Sequence, residues 1–325
     1  METIVSGARP TGRLHVGHYH GALKNWIRLQ DNYRCFFFVA DWHALTTDYL
    51  SPRGIRENTL DMVMDWLSIG IDPGRCVLFR QSSIKEHAEL HLLLSMITPV
   101  PWLERNPTYK EQVRELEGRD LSTYGFLGYP VLQAADIMMY KAHKVPVGVD
   151  QAPHVELTRE IVRRFNQVYC PVFPEPEVLL TETQKLPGLD GRKMSKSYHN
   201  AVFLSDSPKE IDQKLSRMMT DPARVRRHDP GEPEKCPAFQ LHKIYCTPQE
   251  IEEVSQGCRS ATIGCLDCKK VMIKHVMADL EPFRGKRAAY ERRPGDVEDV
   301  LATGNRTARE MAAETMAEVR GAITL

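Results

Sequence analysis

An unbroken apolar run, CFFFVA at residues 35–40, constrains the fold more than any other feature of the sequence. A strand buried on both faces has this composition, because both of its alternating sets of side chains then pack against covering layers. Shorter apolar runs occur at 2–6 (ETIVS) and 76–79 (CVLF), and helical spacings separate the three runs at 15–30 and 55–69. This alternation predicts an α/β fold with a parallel sheet covered by helices.

Beyond residue 80 the pattern becomes mainly helical. Residues 87–127 and 154–168 have helical patterns, with a strand expected at 145–149. The segment LPGLDGRKMSKSYHN at 186–200 is rich in glycine and cations and has no apolar periodicity, which predicts an exposed, mobile loop. Helical patterns return at 207–219, 237–246, 248–257, 267–280 and 305–320. We therefore expect an α/β domain at 1–198, with a helical insertion at about 87–168, and an all-helical domain at 199–325.

Charge and hydropathy exclude several classes of protein. The chain has 43 Lys and Arg against 43 Asp and Glu, so any nucleic-acid binding must come from local patches. No apolar run approaches the roughly 18–20 residues of a membrane helix. The opening METIVSGARP lacks the basic region and apolar stretch of a signal peptide. We expect a cytoplasmic protein with no membrane partner.

The first motif that carries chemistry is TGRLHVGH at 11–18, directly after the first expected strand. Ligands of open α/β sheets bind past the carboxyl ends of the strands, and a helix N-terminus there attracts anions. His15 and His18 are three residues apart, so both imidazoles could donate to one phosphate. Gly17 would let a phosphate or a flat ring approach the backbone. The alternative is two surface histidines beside a packing glycine.

The second motif is KMSKS at 193–197, within the cationic loop. Two ammonium groups and two hydroxyls on a flexible segment can close over a triphosphate. They would then stabilise the charge that develops as the α–β phosphate bond breaks. The alternative is a solvated cationic linker.

The two motifs together, in this order, resemble the class I aminoacyl-tRNA synthetases. The resemblance implies a Rossmann-like catalytic domain, a helical anticodon-binding domain at 199–325 and Mg²⁺-ATP as cosubstrate. It also implies adenylate formation with release of pyrophosphate, followed by acyl transfer to the terminal ribose of tRNA. No enzyme nucleophile is needed, and the sequence contains no GxSxG elbow. The implied catalytic residues are His15, His18, Lys193 and Lys196.

Residues 125–158 resemble the tryptophanyl-tRNA synthetases in particular, through YPVLQAADI at 129–137, VPVGVDQ at 145–151 and the opening ETIVSGARPTG. On this resemblance Asp136 accepts a hydrogen bond from the indole N–H. The other implied tryptophan-binding residues are Val5, His43, Tyr129, Gln133, Val145, Val147 and Gln151. The implied ATP-binding residues are Arg9, Pro10, Thr11, Gly17, His18, Gly148, Val149, Asp150, Leu186, Lys193, Met194, Ser195, Lys196 and Ser197. The chain departs from several members of the family at Arg9, His18, Gln133 and Val149.

The chemistry of Asp136 agrees with an indole substrate and leaves alternatives. Indole is a donor only, so a buried carboxylate rejects phenylalanine, which would leave it unpaired. Tyrosine can donate its O–H, which makes a tyrosyl-tRNA synthetase the nearest alternative. A non-catalytic, tryptophan-binding synthetase paralogue is a second. A small-molecule nucleotidylyltransferase would lack the KMSKS loop and the helical domain. Asp136 could also be a helix-terminal or surface acid.

Five of the eight cysteines crowd into residues 236–268. Cys236, Cys258, Cys265 and Cys268 form the pattern C-x21-C-x6-C-x2-C, and four thiolates suit Zn²⁺ or an iron–sulfur cluster. A subset of tryptophanyl-tRNA synthetases resembles this chain in carrying such cysteines on a [4Fe–4S] cluster; zinc and four free thiols are the alternatives. We expect Cys246 to be core packing. Cys35, Cys76 and Cys170 are expected to be small buried hydrophobes.

Two further partners are expected. Short basic runs at 224–227, 269–270 and 284–287 could contact tRNA phosphates, or could be solvated surface. The tryptophanyl-tRNA synthetases, which this sequence resembles, are homodimers. The resemblance therefore implies that a second copy of this chain is a partner. We place that interface in the helical insertion.

Overall fold

Five parallel strands form one sheet in the order β3-β2-β1-β4-β5. The computed structural model describes residues 1–115, 121–180 and 186–324. The strands are β1 Thr3–Ala8, β2 Arg34–Val39, β3 Cys76–Arg80, β4 Lys144–Val147 and β5 Glu177–Leu180. The predicted parallel α/β sheet is thereby confirmed. The edge strand β5 was not predicted, because its four residues are half-buried or exposed and have no distinctive apolar pattern.

Fourteen α-helices occur in the described parts of the chain. In chain order, α1 to α14 are Val16–His18, Lys24–Leu29, Asp41–Asp48, Ile55–Ile69, Glu86–Ser95, Val100–Arg105, Pro107–Glu115, Tyr124–Met139, Ala152–Val168, Pro208–Ser216, Pro237–Tyr245, Pro248–Arg259, Cys265–Arg292 and Pro294–Ala322. The helix expected at 15–30 is divided, because a π-helix at Tyr19–Leu23 separates α1 from α2. Residues 116–120 of the helical stretch expected at 87–127 lie outside the described residues. No helix of the described residues has the length and apolar character needed to cross a bilayer.

The central strand β2 explains why the sheet is covered on both faces. Successive side chains of a strand point to opposite faces. Phe36 stacks on Tyr140, with ring centroids 4.6 Å apart, on one face of the sheet. Phe37 stacks on Trp26 of α2, at 4.3 Å, on the other face. Both phenylalanines are fully buried, so the apolar run identified in the sequence forms the middle of the core.

The described residues divide into two compact units. One lies within Met1–Gly12, Lys24–Glu182 and Arg292–Leu325 and contains the sheet; the other lies within Arg13–Leu23 and Thr183–Glu291. The division predicted from the sequence at 198/199 differs from this arrangement in three places: Arg13–Leu23 and residues 186–198 lie outside the unit of the sheet, and the last helix lies within it. Helix α14 packs directly on the edge strand β3. This close contact depends on Gly304, which has no side chain and lies against the backbone of Leu78. Local sequence patterns contain no signal for this contact, which joins residues far apart in the chain.

Candidate active site

The motif at 11–18 places His15 immediately before α1 and His18 within it. The backbone N–H of His15 donates to Nδ1 of His18 at 3.1 Å, and the two rings stack with centroids 3.6 Å apart. A nitrogen that accepts a hydrogen bond is unprotonated, so the proton of a neutral His18 lies on Nε2. Local backbone geometry therefore selects the tautomer that can donate through Nε2.

Both imidazoles are neutral at neutral pH. Burial, followed by the nearby charges of Lys196 and Lys193, lowers the pKa of His15 from 6.5 to about 4. Burial is also the largest cause that holds the pKa of His18 well below its ordinary value. Among the described residues, Nδ1 of His15 is buried without a hydrogen-bond partner. The pair can therefore act on an anion as N–H donors and not as cations.

Gly17 is required by the packing around His15. A Cβ at this position would lie 2.9 Å from Nδ1 and 3.0 Å from Cε1 of His15, and 3.8 Å from Cβ of Met194. The first two distances are shorter than ordinary van der Waals contact. Gly17 thus leaves room for the His15 ring beside Met194 of the KMSKS motif. The predicted close approach of a ligand to this glycine stays a prediction.

The loop at 186–200 is more closely folded than its composition predicts. Leu186 and Met194 are buried, and the N–H of Met194 donates to the carbonyl of Leu186 at 2.9 Å. The buried Asn200 accepts from the N–H of Ser195 at 2.8 Å and donates to Asp190 at 2.7 Å. The prediction of an exposed loop is therefore correct for only part of this segment, because Leu186, Met194 and Asn200 are buried.

Residues 13–18 of the first motif and the KMSKS motif lie close together within one unit. Lys193 is exposed and Lys196 is half-buried at the start of a 3₁₀ turn, Lys196–Tyr198. Their charges act on the same imidazole, which requires proximity to α1. The N–H of Val16 also donates to the carbonyl of Val202 at 3.0 Å, which ties α1 to the chain that follows the loop. This unit therefore presents two imidazole donors and two ammonium groups to one anionic ligand.

Asp136 lies on α8 in the other unit, and its side chain is 1% exposed. Its Oδ2 accepts from Nε2 of His43 at 2.7 Å. Its Oδ1 accepts from Nδ1 of His87 at 2.6 Å and from Nε2 of Gln81 at 2.7 Å. The alternative of a surface acid is wrong, because the carboxylate is enclosed and held by donors from three segments.

The carboxyl group of Asp136 is ionised in this setting. Burial alone would raise its pKa, but the hydrogen bonds from His43 and His87 outweigh burial and leave the pKa below its ordinary value. Since Nδ1 of His87 donates to the carboxylate, its Nε2 accepts from the hydroxyl of Tyr140 at 2.7 Å. Burial, aided by the charge of Asp136, raises the pKa of Tyr140, which keeps that donor protonated.

A carboxylate offers about four acceptor positions, two on each oxygen. His87 and Gln81 fill both positions on Oδ1 of Asp136, and His43 fills one position on Oδ2. One acceptor position on Oδ2 is left among the contacts of the described residues. The site can therefore accept one more hydrogen bond from a ligand with a single donor.

A second buried network supports the tryptophan-site residues predicted on α8 and after β4. The hydroxyl of Tyr129 contacts Nε2 of His154 at 3.1 Å, and Nδ1 of His154 lies 3.3 Å from the side-chain amide of Asn106. Thr108 donates to the backbone carbonyl of Asp150 at 2.9 Å. Burial lowers the pKa of His154 to about 4, so this imidazole is neutral at pH 7.

The remaining predicted residues divide between the two units. Arg9, Pro10, Thr11, Gly148, Val149 and Asp150 belong to the unit of the sheet, as do Val5, Gln133, Val145, Val147 and Gln151. Val5 and Val145 are buried, Gln133, Val147 and Gln151 are half-buried, and Val149 is 71% exposed. Gly17, Leu186 and Lys193–Ser197 belong to the other unit.

Sequence reasoning missed the side chains that hold Asp136 in place, apart from His43. Gln81 follows β3, His87 lies on α5 and Tyr140 caps the end of α8, and all three are fully buried. Isolated polar residues in apolar surroundings are the only available signal. That signal does not say which partner each residue contacts.

The four predicted metal-binding cysteines lie in one unit, at the start of α11 and on α12 and α13. Burial first, and then the charges of the other three thiols, raise the pKa of Cys268 to about 12. Among the described residues, only one set of three ligand atoms lies mutually within 4.8 Å, and it contains none of these four sulfurs. No three of the four sulfurs therefore lie mutually within 4.8 Å in the described structure.

Two buried cations adjoin these cysteines. Arg224 is 8% exposed, and its Nη1 lies 3.7 Å from the Cys258 sulfur. Lys269 is 5% exposed, and its Nζ donates to the carbonyl of Ser216 at 2.8 Å. Buried Arg and Lys ordinarily need compensating negative charge. Arg224, Lys269 and Arg287 belong to the basic runs predicted to contact tRNA. Because all three are buried, they are not available to tRNA phosphates.

Two cysteine predictions differ from the structure. Cys170 is exposed, whereas Cys35 and Cys76 are buried as expected. Cys246 is half-buried, and its sulfur contacts Nδ1 of His242 at 3.3 Å. Its surroundings are polar, so core packing does not account for it.

The sequence matches the family described as tRNA synthetases class I (W and Y), for tryptophan and tyrosine, over residues 2–280. A tryptophan–tRNA ligase from Thermotoga maritima is 56% identical over 324 residues, covering 99% of each chain. One from Aquifex aeolicus is 45% identical, also with 99% of each chain covered. The crystal structure of Campylobacter jejuni tryptophanyl-tRNA synthetase complexed with ADP and tryptophan matches with a TM-score of 0.89 at 33% identity, covering 100% of both chains.

Proposed function

Because the chain belongs to the class I tRNA synthetases for tryptophan and tyrosine and is a tryptophan–tRNA ligase, we propose that Asp136 selects the amino acid. We further propose that the two histidines of α1 and the two lysines of the KMSKS loop bind and activate ATP. The partners of this activity are tryptophan, ATP and tRNA.

The observation that carries the amino-acid assignment is the single acceptor position left on Asp136. Indole has one N–H donor and no acceptor, so it fills this position and leaves no polar group unpaired. Phenylalanine would leave the ionised carboxylate short of a partner in a buried site, at a cost of about 1–3 kcal/mol or more. The hydroxyl of tyrosine can donate, but its acceptor lone pairs would meet an enclosed pocket.

The chemistry on ATP needs positioning and charge stabilisation. A carboxylate oxygen of tryptophan attacks the α-phosphorus, the bond to the β-phosphate oxygen breaks, and pyrophosphate leaves with the electron pair. A ribose hydroxyl of tRNA then attacks the acyl carbon, and AMP leaves. In the first step His18 donates through Nε2–H, and Lys193 and Lys196 offset the charge that develops on the leaving group.

Mg²⁺ would accompany the phosphates of ATP and add positive charge to the leaving pyrophosphate. Residues 16–18 of α1 and 193–197 of the KMSKS motif offer imidazole, ammonium and hydroxyl groups and no carboxylate. We therefore assign the ion no protein ligand there. The residues of the chain supply the donors, and the substrate supplies the ligands of the metal.

Tryptophan-dependent ATP–pyrophosphate exchange tests the assignment of Asp136. Asp136→Asn removes the charge and puts an amide N–H against one of the donors. We expect KM for tryptophan to rise on the order of 10- to 100-fold, as for losing one hydrogen bond to a charged acceptor, with KM for ATP unchanged. Asp65, equally buried on α4, gives the matched control Asp65→Asn. A higher kcat/KM for tyrosine than for tryptophan in the unmodified protein would indicate tyrosine selection instead.

We also propose that the four cysteines hold a [4Fe–4S] cluster. The donor set fits, because four thiolates on such a centre carry excess negative charge that Arg224 and Lys269 would balance. Sulfurs on one tetrahedral zinc ion would be about 3.8 Å apart, given Zn–S bonds of about 2.3 Å. Among the described residues no three of these sulfurs lie mutually within 4.8 Å, so they would have to draw together to bind one zinc ion. When bound, the group would cross-link α11, α12 and α13.

Anaerobic purification tests this proposal. We expect a brown protein with iron and sulfide in equal amounts, and loss of both in Cys258→Ser. Cys170→Ser, at an exposed cysteine in the other unit, is the matched control. A colourless protein that contains zinc in place of iron would identify the alternative metal.

We propose that the protein is a homodimer and that α5 and the segments after it form the interface. Leu92, Met96, Val100 and Tyr124 are between 51% and 69% exposed, an unusual run of large apolar side chains on a surface. Met96→Glu should halve the mass measured by light scattering.

We further propose that the exposed Arg226 and Lys270, in the segment at 208–291, contact tRNA. We also propose that the protein is located in the cytoplasm.

A further inference from the structure

We propose that Cys246, Glu250 and His275 form a Zn²⁺-binding site separate from the four cysteines. Cys246 directly follows α11, Glu250 lies in the first turn of α12, and His275 lies within α13. One sulfur, one carboxylate oxygen and one imidazole nitrogen from these residues lie mutually within 4.8 Å. This mixed set of sulfur, nitrogen and oxygen donors is one that zinc accepts.

The distances need little adjustment. Bonds of about 2.0–2.3 Å to a tetrahedral zinc ion put neighbouring ligand atoms roughly 3.3–3.8 Å apart. Nε2 of His275 is already 2.9 Å from each oxygen of Glu250. Tetrahedral zinc would put sulfur roughly 3.5 Å from the nitrogen and the oxygen, so the sulfur of Cys246, which lies within 4.8 Å of both, has to move by about 1.3 Å or less. All three side chains are half-buried, so the ion would be sheltered and still reachable from solvent.

The helix-capping contacts of Glu250 engage only one of its two carboxylate oxygens. Its Oε2 accepts from the N–H and the hydroxyl of Thr247, both at 2.9 Å, in the capping box of α12. The other oxygen, Oε1, takes no part in the capping box and lies 2.9 Å from Nε2 of His275. A metal ion bound through Oε1 would replace the proton that joins these two groups at present. The helix cap and the metal site are compatible.

His242 is a positioning residue for this site. It is fully buried, and its Nδ1 lies 3.3 Å from the Cys246 sulfur. Its Nε2 lies 3.3 Å from the sulfur of Cys268, one of the four cysteines. Contacts of this kind orient metal ligands. When Zn²⁺ binds, Cys246 becomes a thiolate and its proton passes to water.

Metal content of the full chain tests the proposal, with Zn²⁺ alone as the probe. The protein, with its four-cysteine site loaded as purified, is freed of loosely bound metal and titrated with Zn²⁺ against a chromophoric chelator. We expect one equivalent in the unmodified protein, with affinity reduced by on the order of 10²-fold or more in Cys246→Ser and His275→Gln. Cys170→Ser should bind as the unmodified protein does.

Glu250→Gln is the most selective variant. Glutamine keeps the capping box and removes the charged ligand, so the helix should persist while zinc affinity falls. The same stoichiometry and affinity in the unmodified protein and all three ligand variants would overturn the proposal. So would zinc that is lost only in Cys268→Ser. Because the proposal rests on zinc binding alone, pyrophosphate exchange reports separately on the synthetase function.

Discussion

Gly17→Ala tests whether the packing of His15 sets the geometry for ATP. The new Cβ would lie 2.9 Å from the imidazole, about 0.5 Å inside the 3.4 Å at which ordinary contact begins. The ring has little room to retreat, because it is 6% exposed and stacks on His18 at 3.6 Å. Overpacking costs about 1–3 kcal/mol, and alanine returns about 1 kcal/mol through helix propensity.

The expected net loss of stability is therefore roughly 0–2 kcal/mol, a change that leaves the protein folded. The larger effect is expected in catalysis, because a displacement of about 1 Å can cost on the order of 10²-fold. About half that displacement at His15 should reduce kcat/KM for ATP in pyrophosphate exchange by about tenfold. KM for tryptophan should be unchanged, since Asp136 is untouched.

Gly21→Ala is the matched control for Gly17→Ala. Gly21 lies in the π-helix four residues later, and nothing lies within 4 Å of a Cβ built there. It should keep the exchange rate of the unmodified protein. Full activity in Gly17→Ala, or an equal loss in Gly21→Ala, would refute the argument that His15 is positioned by this glycine.

Three further outcomes are expected. Lys196→Ala should slow adenylate formation by on the order of 10²-fold, as for loss of one charge-stabilising donor, whereas Lys209→Ala on the exposed start of α10 should not. Burial lowers the pKa of His154 from 6.5 to about 4. As the pH falls from 6.5 towards 4, the imidazole is protonated in the unfolded chain but not in the folded one, so the free energy of unfolding decreases. Between pH 7.5 and 5, the free energy of unfolding measured with urea should fall by about 2 kcal/mol less in His154→Gln than in the unmodified protein. Gly304→Ala should lower the unfolding free energy by about 2 kcal/mol or more, because a Cβ there overlaps the backbone of β3, whereas Gly295→Ala on the same helix meets nothing and should be neutral.

Elements with strong local patterns could be predicted from the sequence. The helix expected at 55–69 is observed as α4, Ile55–Ile69, because its apolar residues recur with the helical period over fifteen residues. The apolar run at 35–40 is observed as β2, shifted by one residue. By contrast, α3 at Asp41–Asp48 was not predicted, since it is short and has a weak apolar face.

Contacts between distant segments could not be predicted. Asp136 was identified from its resemblance to a family, but Gln81 and His87, which bring two of its three hydrogen bonds, lie 55 and 49 residues away along the chain. Arg224 appeared in the sequence as part of a basic run, whereas the structure buries it beside Cys258. Local composition carries no information about which groups will meet after folding.

The sequence by itself therefore determined the chemical groups and their order: the parallel sheet, the two motifs proposed to bind ATP, the aspartate proposed to select the amino acid, and the clustered cysteines. These depend on residue types and short spacings, which local periodicity and motif chemistry describe. Only the tertiary structure decided which of these groups are charged and which are enclosed. Protonation depends on burial and on neighbours from other segments, as the neutral His15 and the ionised Asp136 demonstrate.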